Sequence, residues 1–300
     1  MPSAAAAAPA AAARRRRLPR WLRNINVLVG GTLILLLVAC AVFAPFLTPM
    51  DPNGQDLWTR YEPPHGLLVD GRLNTQYVLG GDELGRDVLS RLIMGSRVSL
   101  VVGLIATGIS LVLGVLLGGL AGYFGGWIDD VIMRVMDVLL ALPGILLAIA
   151  IVAALGPNIV NAMLAIAIVR VPTMARLVRS EVLSLRELEF VEAARALGSS
   201  HARILFRHVL TNSWAPVLVM STMGMGTAIV AEASLSFLGL GTQPPAISWG
   251  RMLSVGREAF QTAPHVTLYP GLAITLTVLA FSLLGDGLRD LLDSRLRGRE

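Results

Sequence analysis

The sequence has 300 residues, of which 54% are hydrophobic and only 15% are charged, with a formal net charge of +5. This composition excludes an ordinary soluble domain and predicts an integral membrane protein. All 25 of the Lys+Arg positions are arginine, which excludes a P-loop lysine, a Schiff-base lysine and a Ser-Lys nucleophile pair. If ATP drives this protein, another subunit must bind it.

Other classes of site are also disfavoured. The single cysteine, Cys40, lies in an apolar run, so an intrachain disulfide is excluded. The four histidines are too scattered along the chain for metal-ligand spacing and are expected at the surface. No catalytic motif is present, so we expect neither a catalytic residue nor a cofactor bound by this chain. The basic charge could suggest nucleic acid, but the arginines lie at the ends of apolar segments, as membrane topology predicts.

The N-terminal third begins with a tail and a first membrane span. Residues 1–24 are rich in alanine and arginine and are predicted to be cytoplasmic. The apolar run 25–46 is about 22 residues long, close to the ~20 that cross a bilayer and longer than the apolar core of a signal peptide, so we expect an uncleaved transmembrane helix. Residues 47–97 are polar and proline-rich and are expected on the outer side, with an amphipathic helix near their end.

Residues 98–288 are predicted to form one domain with five further spans. These are placed at 98–121, 131–155, 159–178, 213–231 and 267–284. Gly114 and Gly118 form a GxxxG pair, which predicts close helix packing, and Pro143 with Gly144 predicts a kink in the third span. Residues 289–300 are a charged tail. The fold class is therefore an all-α membrane protein with six transmembrane helices.

Four ionisable residues within the spans are candidate pathway or structural residues, namely Arg134, Asp137, Arg170 and Glu232. Arg134 and Asp137 are one turn apart and can pair on one helix face. An arginine that faces lipid at mid-membrane costs about 2.5–3.5 kcal/mol, so Arg170 is expected to face a pore, a partner subunit or Asp137. Glu232 could belong to a proton pathway, but the serines that follow it favour a structural hydrogen-bonding role.

The most polar long segment between the spans is residues 181–210. Apolar residues recur at helical spacing at Leu185, Leu188, Val191 and Ala194, which predicts an amphipathic helix. Gly198 follows the last of these and is suited to a left-handed C-cap, and one of the two serines after it can cap a second helix. The segment is therefore expected to form a helix, an elbow and a second helix.

Arginine counts predict the orientation. With six spans and cytoplasmic termini, the cytoplasmic segments hold sixteen arginines, six in the N-terminal tail, six at 176–207 and four at 289–299, while the outer segments hold seven. This excess places both termini and the 181–210 segment in the cytoplasm.

Three blocks of residues resemble a known family. Glu192-Ala193-Ala194, followed by Gly198 and Leu210, resembles the EAA loop of inner-membrane permease subunits of binding-protein-dependent ABC importers. The usual isoleucine of that loop is replaced by His208, and the usual proline by Thr211. Residues 78–100, with a Gly-Arg-Asp tripeptide that opens an amphipathic helix, resemble the segment before the family's second span. The sequence SLSFLGLG, then QPP and SWG, within 232–253 resembles the dipeptide, oligopeptide and nickel branch.

The resemblance implies a type I importer permease fold in the plasma (inner) membrane. It implies a homologous second permease, two ATPase subunits that carry ATP and Mg, and an external substrate-binding protein as partners. In such a complex the EAA helix docks in a groove of the ATPase. Glu189 and Glu192 would supply polar contacts, Ala193 and Ala194 would permit close approach, and Gly198 would fix the elbow angle.

Two alternatives remain for function. The cargo implied by the resemblance is short peptides, with nickel or other small solutes as the alternative. A proton-coupled secondary transporter that uses Glu232, Asp137 and Arg170 is the second hypothesis, disfavoured because no repeat of the spans is visible and few ionisable residues lie at mid-membrane.

Overall fold

The computed structural model describes residues 24–66, 68–69, 72–73 and 76–296. The α-helices are α1 Ile25–Val42, α2 Ala44–Leu47, α3 Val88–Phe124, α4 Gly126–Leu140, α5 Gly144–Leu155, α6 Ile159–Leu185, α7 Glu189–Ala196, α8 His201–Arg203, α9 Leu210–Asn212, α10 Trp214–Phe237, α11 Trp249–Gly256 and α12 His265–Leu296. A π-helical turn, Ile204–Val209, joins α8 to α9, and 3-10 turns lie at Leu57–Thr59 and Arg257–Ala259. The antiparallel strands β1 Leu68–Val69 and β2 Arg72–Leu73 form a short hairpin, with Leu68 opposite Leu73. The fold is therefore built from helices.

Five of the described helices, α1, α3, α6, α10 and α12, are long and apolar enough to cross a membrane. The helices α4 and α5 meet at a bend of 91°, and they make a sixth span when they are counted together. The prediction of a six-span helical membrane protein is confirmed on this count. The kink expected at Pro143 is a complete break between two helices, because Pro143 lacks an N–H and α5 restarts at Gly144.

Helix boundaries differ from the predicted ones at several places. The amphipathic helix and the second span are one continuous helix of 37 residues, which Asp87 caps by accepting bonds from the N–H groups of Leu89 and Ser90. Polar residues such as Arg91 indicate where the environment of this helix changes, but they do not end the helix. α6 continues through Pro172 and ends at Leu185, beyond its predicted end. The prediction that one amphipathic helix contains Leu185 and Leu188 is therefore wrong, because Leu185 belongs to α6 and Leu188 is the extended N-cap of α7.

The two ends of the helix bundle are chemically different. The Nδ2 of Asn24, just before α1, lies 3.4 Å from Oδ2 of Asp290 near the end of α12. Glu181 of α6 and Arg289 of α12 border the same cavity near the start of α10. The beginning of α1, the end of α12 and the 181–210 segment therefore lie at one end of the bundle.

The opposite end carries α11 and the described residues of the polar segment 47–87. Trp249 of α11 is buried, and its Nε1 donates to the carbonyl of Leu92 at 2.9 Å. His265 is also buried there, with Nε2 3.2 Å from the carbonyl oxygen of Gly81. The expectation that all four histidines lie at the surface is wrong for His265, because it packs the start of α12 against the outer segment.

Close packing of α3 on α6 occurs at the GxxxG pair. A Cβ added at Gly114 would collide with the side chain of Met174, and one added at Gly118 would collide with the backbone of Ala175. The two backbones can approach this closely only because both positions lack side chains. The predicted role of Gly114 and Gly118 is confirmed.

Replacing Gly118 with alanine should therefore destabilise the chain, by about 1–3 kcal/mol, the usual cost of overpacking. Gly108 on the same helix is the matched control, since a Cβ there meets no atom within 4 Å. Because alanine is the better helix former, Gly108→Ala should be neutral or stabilising. Thermal unfolding in detergent measures both variants, and equal melting temperatures would contradict the packing argument.

Candidate functional site

The EAA helix, α7, is a short helix with one buried and one exposed face. Glu189 and Glu192 lie in its first turn, where negative charge is favourable to the helix dipole. Val191 and Ala194 are buried three residues apart, in a cluster with Ile204, Leu205 and other apolar residues. A helix of eight residues is marginal by itself, so this packing holds it in place.

The exposed face of α7 carries most of the residues predicted to contact a partner. Glu189, Glu192, Ala193 and Gly198 are exposed. Phe190 and Leu197 are exposed as well, by 39% and 86%, and they flank Ala193 at spacings of three and four residues. We name Phe190, Ala193 and Leu197 the apolar stripe; Phe190 and Leu197 were not among the predicted site residues.

Ala194 does not belong to this exposed face. Its exposure is 9%, and it packs against the chain's own second helix of the elbow. The expectation that both alanines permit close approach of a partner is therefore wrong for Ala194. For Ala193 it stays a prediction. Helical periodicity turns one of two adjacent alanines inward, and it is Ala193 that stays outward.

Gly198 forms the elbow with φ of +75°, a conformation that favours glycine. The N–H of Gly198 donates to the carbonyl of Arg195, and that of Ser199 donates to the carbonyl of Ala194. These two bonds form a Schellman motif, which ends α7 sharply. Ser200 then caps the next helix, with Oγ accepting from the N–H of Arg203 at 3.4 Å.

Three contacts fix the elbow and the end of α6 to α3 and α4. The Tyr123 hydroxyl lies 3.0 Å from Nδ1 of His201, and Nη1 of Arg186 donates to the carbonyl of Gly122 at 2.8 Å. Arg179 makes a bidentate pair with Asp129, both contacts at 2.5 Å. No pattern in the sequence joins Tyr123 to His201, which are 78 positions apart. The elbow is thus held to α3 through His201, and the end of α6 is held beside it to α3 and α4.

The predicted pair of Arg134 and Asp137 is absent. Asp137 instead accepts from Nη2 of Arg176 on α6 at 2.6 Å, and Arg134 takes part in none of the ion pairs found among the described residues. Residues one turn apart share a helix face, but α4 packs against α6, so an arginine across the helix contact competes successfully.

Glu232 is buried near the outer end of α10. Its Oε1 accepts from the hydroxyls of Ser236 at 2.6 Å and Thr242 at 3.2 Å. Ser236 Oγ in turn accepts from the N–H of Thr242 at 2.9 Å. Ser234 bonds instead to the carbonyl of Val230. Glu232 thereby connects the loop after α10 back to the helix.

Arg170 lies near the middle of α6 and contacts the hydroxyl of Thr227 on α10. It is not paired with Asp137, which is bound to Arg176. The remaining expectation, that Arg170 faces a pore or a partner subunit, stays a prediction.

Comparisons with known proteins agree with these features. Residues 114–298 match the family described as "Binding-protein-dependent transport system inner membrane component", and residues 14–64 match "N-terminal TM domain of oligopeptide transport permease C". The "Dipeptide transport system permease protein DppC" of Alkalihalophilus pseudofirmus is 47% identical over 92% of this chain and 88% of its own. The "Glutathione transport system permease protein GsiD" of Pectobacterium atrosepticum is 46% identical over 93% and 90%.

A third relative and one solved structure complete the comparison. The "Di/tripeptide transport system permease protein DppC" of Pseudomonas aeruginosa is 47% identical over 91% of this chain and 89% of its own. The fold is similar to that in "Inward facing conformations of the MetNI methionine ABC transporter", with a TM-score of 0.54, 18% identity, and coverage of 66% of this chain and 94% of that one.

Leucine substitutions at the two adjacent alanines should differ in their effect on stability. Ala194→Leu adds bulk to a packed cluster and should destabilise the chain by about 1–3 kcal/mol. Ala193→Leu lies on the exposed face and should change stability by less than about 0.5 kcal/mol. Limited proteolysis at the elbow, together with thermal unfolding in detergent, distinguishes them. Equal susceptibility would contradict the assignment of their faces.

Proposed function

Because this chain belongs to the family of binding-protein-dependent transport system inner membrane components, we propose that it forms half of the translocation pathway for short peptides in an ATP-driven importer. In this family ATP is hydrolysed by separate ATPase subunits, so the chain is an inner-membrane permease subunit and not the enzyme.

Short peptides as cargo are supported by one observation above the others. Relatives that share 46–47% of their residues with nearly the whole chain are named for dipeptide, di/tripeptide and glutathione transport. Glutathione is itself a tripeptide, so these cargoes share one chemistry. Nickel or another small solute is the alternative cargo.

The complete importer would contain a homologous second permease, two ATPase subunits with bound ATP and Mg, and an external substrate-binding protein. In this arrangement the 181–210 segment and both termini would lie in the cytoplasm, an orientation that the arginine excess favours. The common position of the start of α1, the end of α12 and the elbow at one end of the bundle is consistent with this orientation.

The exposed face of α7 would dock in the ATPase groove. The apolar stripe supplies the area that is removed from water, and Glu189 and Glu192 supply polar contacts at its border. Gly198 sets the direction in which the chain leaves this contact.

Movement of the ATPase would then reach the spans through the elbow. α7 shares a buried cluster with α6, the elbow and the start of α10, and the elbow is bonded to Tyr123 at the end of α3. A displacement of α7 therefore shifts these helix ends as a unit. Such rigid-body movement would switch the pathway between inward- and outward-facing states.

Leu197→Asp should abolish most ATP-driven uptake, because it places a charge on the most exposed apolar residue of the proposed contact. Leu197→Met is the matched control and should retain uptake, since methionine keeps the apolar surface and the volume. Co-purification of the ATPase with each variant, and uptake into proteoliposomes, measure the effect. Normal uptake by Leu197→Asp would exclude the stripe from the ATPase contact.

The cargo is tested with the complex purified from its native membrane together with its binding protein. Di- to pentapeptides should stimulate ATP hydrolysis by a complex that contains ATPase subunits. ATPase subunits without a response to peptides would redirect the cargo to nickel or other solutes. Absence of any ATPase partner would contradict the importer assembly itself.

A further inference from the structure

We propose that Arg170 is a binding site within the membrane for the carboxylate of the transported cargo. This inference rests on the proposed peptide-importer function and adds to it a residue that recognises the cargo. It depends on three features of the structure: an unpaired cation, the cavities beside it, and the broken span that faces it.

Arg170 has no carboxylate partner within the described part of the chain. None of the ion pairs there includes it, and its Nε is buried without a hydrogen-bond partner. Among the described residues, its one hydrogen bond is to the neutral hydroxyl of Thr227. The backbone leaves space for it, because a Cβ at Gly224 would collide with the guanidinium. A charge held in this way within a span needs a counter-charge from outside the chain.

Two cavities meet at this guanidinium. One of about 390 Å³ lies between α6 and α10, and one of about 190 Å³ lies beside the start of α5; Val169, Arg170 and Thr227 border both. The larger cavity falls within the ~300–1,000 Å³ range of small-molecule sites. Its other walls combine hydroxyls with methionines, at Ser110, Thr173, Met174, Met220 and Met223.

The break between α4 and α5 lies at the same depth as Arg170. Gly144 is the first and Leu155 the last residue of α5, so at 1.5 Å per residue Gly144 lies about 16 Å from the α5–α6 turn. Arg170 lies about 16 Å from that turn along α6. Both are near the middle of a hydrocarbon layer ~30 Å thick. Gly144 and Arg170 indeed border the same cavity.

A non-helical backbone at this depth is tolerated only where it is buried in protein or lines an aqueous cavity. The residues of the break, Ala141 to Pro143, are exposed in this chain. The broken span and the unpaired arginine therefore point independently to a polar pathway on this face of the permease.

Cargo chemistry favours a transported carboxylate as the missing partner. Every short peptide carries a C-terminal carboxylate whatever its side chains, so one arginine recognises all of them. Guanidinium and carboxylate form paired, charge-assisted hydrogen bonds. The methionines around the cavity adapt to different side chains. A carboxylate of the second permease could also neutralise Arg170, and the experiment distinguishes this source.

The test uses the complete importer in proteoliposomes, with the binding protein, and two probes, trialanine and trialanine amide. Arg170→Gln should lower the ratio of trialanine to amide uptake about tenfold, since a hydrogen bond to a charged group contributes roughly that factor. The preference of the binding protein cancels because each variant is compared with wild type for the same probe. Arg170→Lys should preserve most of the ratio. Arg134→Gln is the matched control, because Arg134 borders neither cavity.

Thermal stability of the complex without the binding protein gives a second readout. Millimolar trialanine should raise the melting temperature of the wild type, Arg170→Lys and Arg134→Gln, but not that of Arg170→Gln, and the amide should raise none. If the Arg170→Gln complex does not assemble, the Arg170→Lys complex provides the test. An equal rise in its melting temperature with trialanine amide and with trialanine would overturn the proposal.

The remaining outcomes are also decisive. Equal loss of both probes in Arg170→Gln would assign Arg170 to an ion pair with the second permease and overturn the cargo site, while the peptide-importer function would stand. Lack of trialanine uptake by the wild-type complex would instead overturn the proposed cargo, and this inference with it.

Discussion

The contact between α3 and α6 is the constraint on which the rest of the structure depends. Gly114 and Gly118 let the two backbones approach, with no side chain between them and the Met174–Ala175 stretch. In a membrane this packing replaces the hydrophobic driving force that a soluble core would use, since lipid is as apolar as the helices. It fixes Arg170, four residues before Met174, on a face that α3 leaves open toward α10. It also sets the end of α3, with Tyr123, beside the elbow.

The elbow depends on that position for its rigidity. α7 is too short to be stable alone, and it is held by Val191 and Ala194 on the cluster that α6 and the start of α10 complete. The Schellman motif at Gly198 fixes the angle to the next helix without a long loop. The π-turn at Ile204–Val209 follows directly. There Oγ1 of Thr211, which occupies the usual proline position, donates to the carbonyl of Phe206 at 3.2 Å. A segment anchored at both helix ends can transmit force in a way that a flexible loop cannot.

Patterns local in sequence predicted the structure well. The apolar runs gave the spans, the GxxxG pair indicated a close contact, and Gly198 indicated the end of α7. Contacts between distant segments could not be obtained in this way. Asp137 pairs with Arg176 across two helices rather than with Arg134 one turn away, and His265 is buried because the outer segment folds over it. The polar residues of α3 indicate where the environment changes, not where the helix ends. The spacing of Val191 and Ala194 already indicated that Ala194 lies on the buried face of α7, so the expectation that both alanines face a partner came from the family resemblance and not from the period.

The broken span shows why an apparent defect can be informative in a membrane protein. A proline kink inside a buried helix is repaired by neighbouring side chains, but the break at Pro143 is exposed on this chain and opens by 91°. Lipid cannot satisfy the backbone groups that such a break releases. Something polar or proteinaceous must therefore cover it in the assembled complex. Arg170 borders the same cavity as the start of α5 and imposes the same requirement through its charge. A single polar or protein environment would thus satisfy both the exposed backbone of the break and the unpaired charge of Arg170. The face that carries both is the face on which a translocation pathway can form.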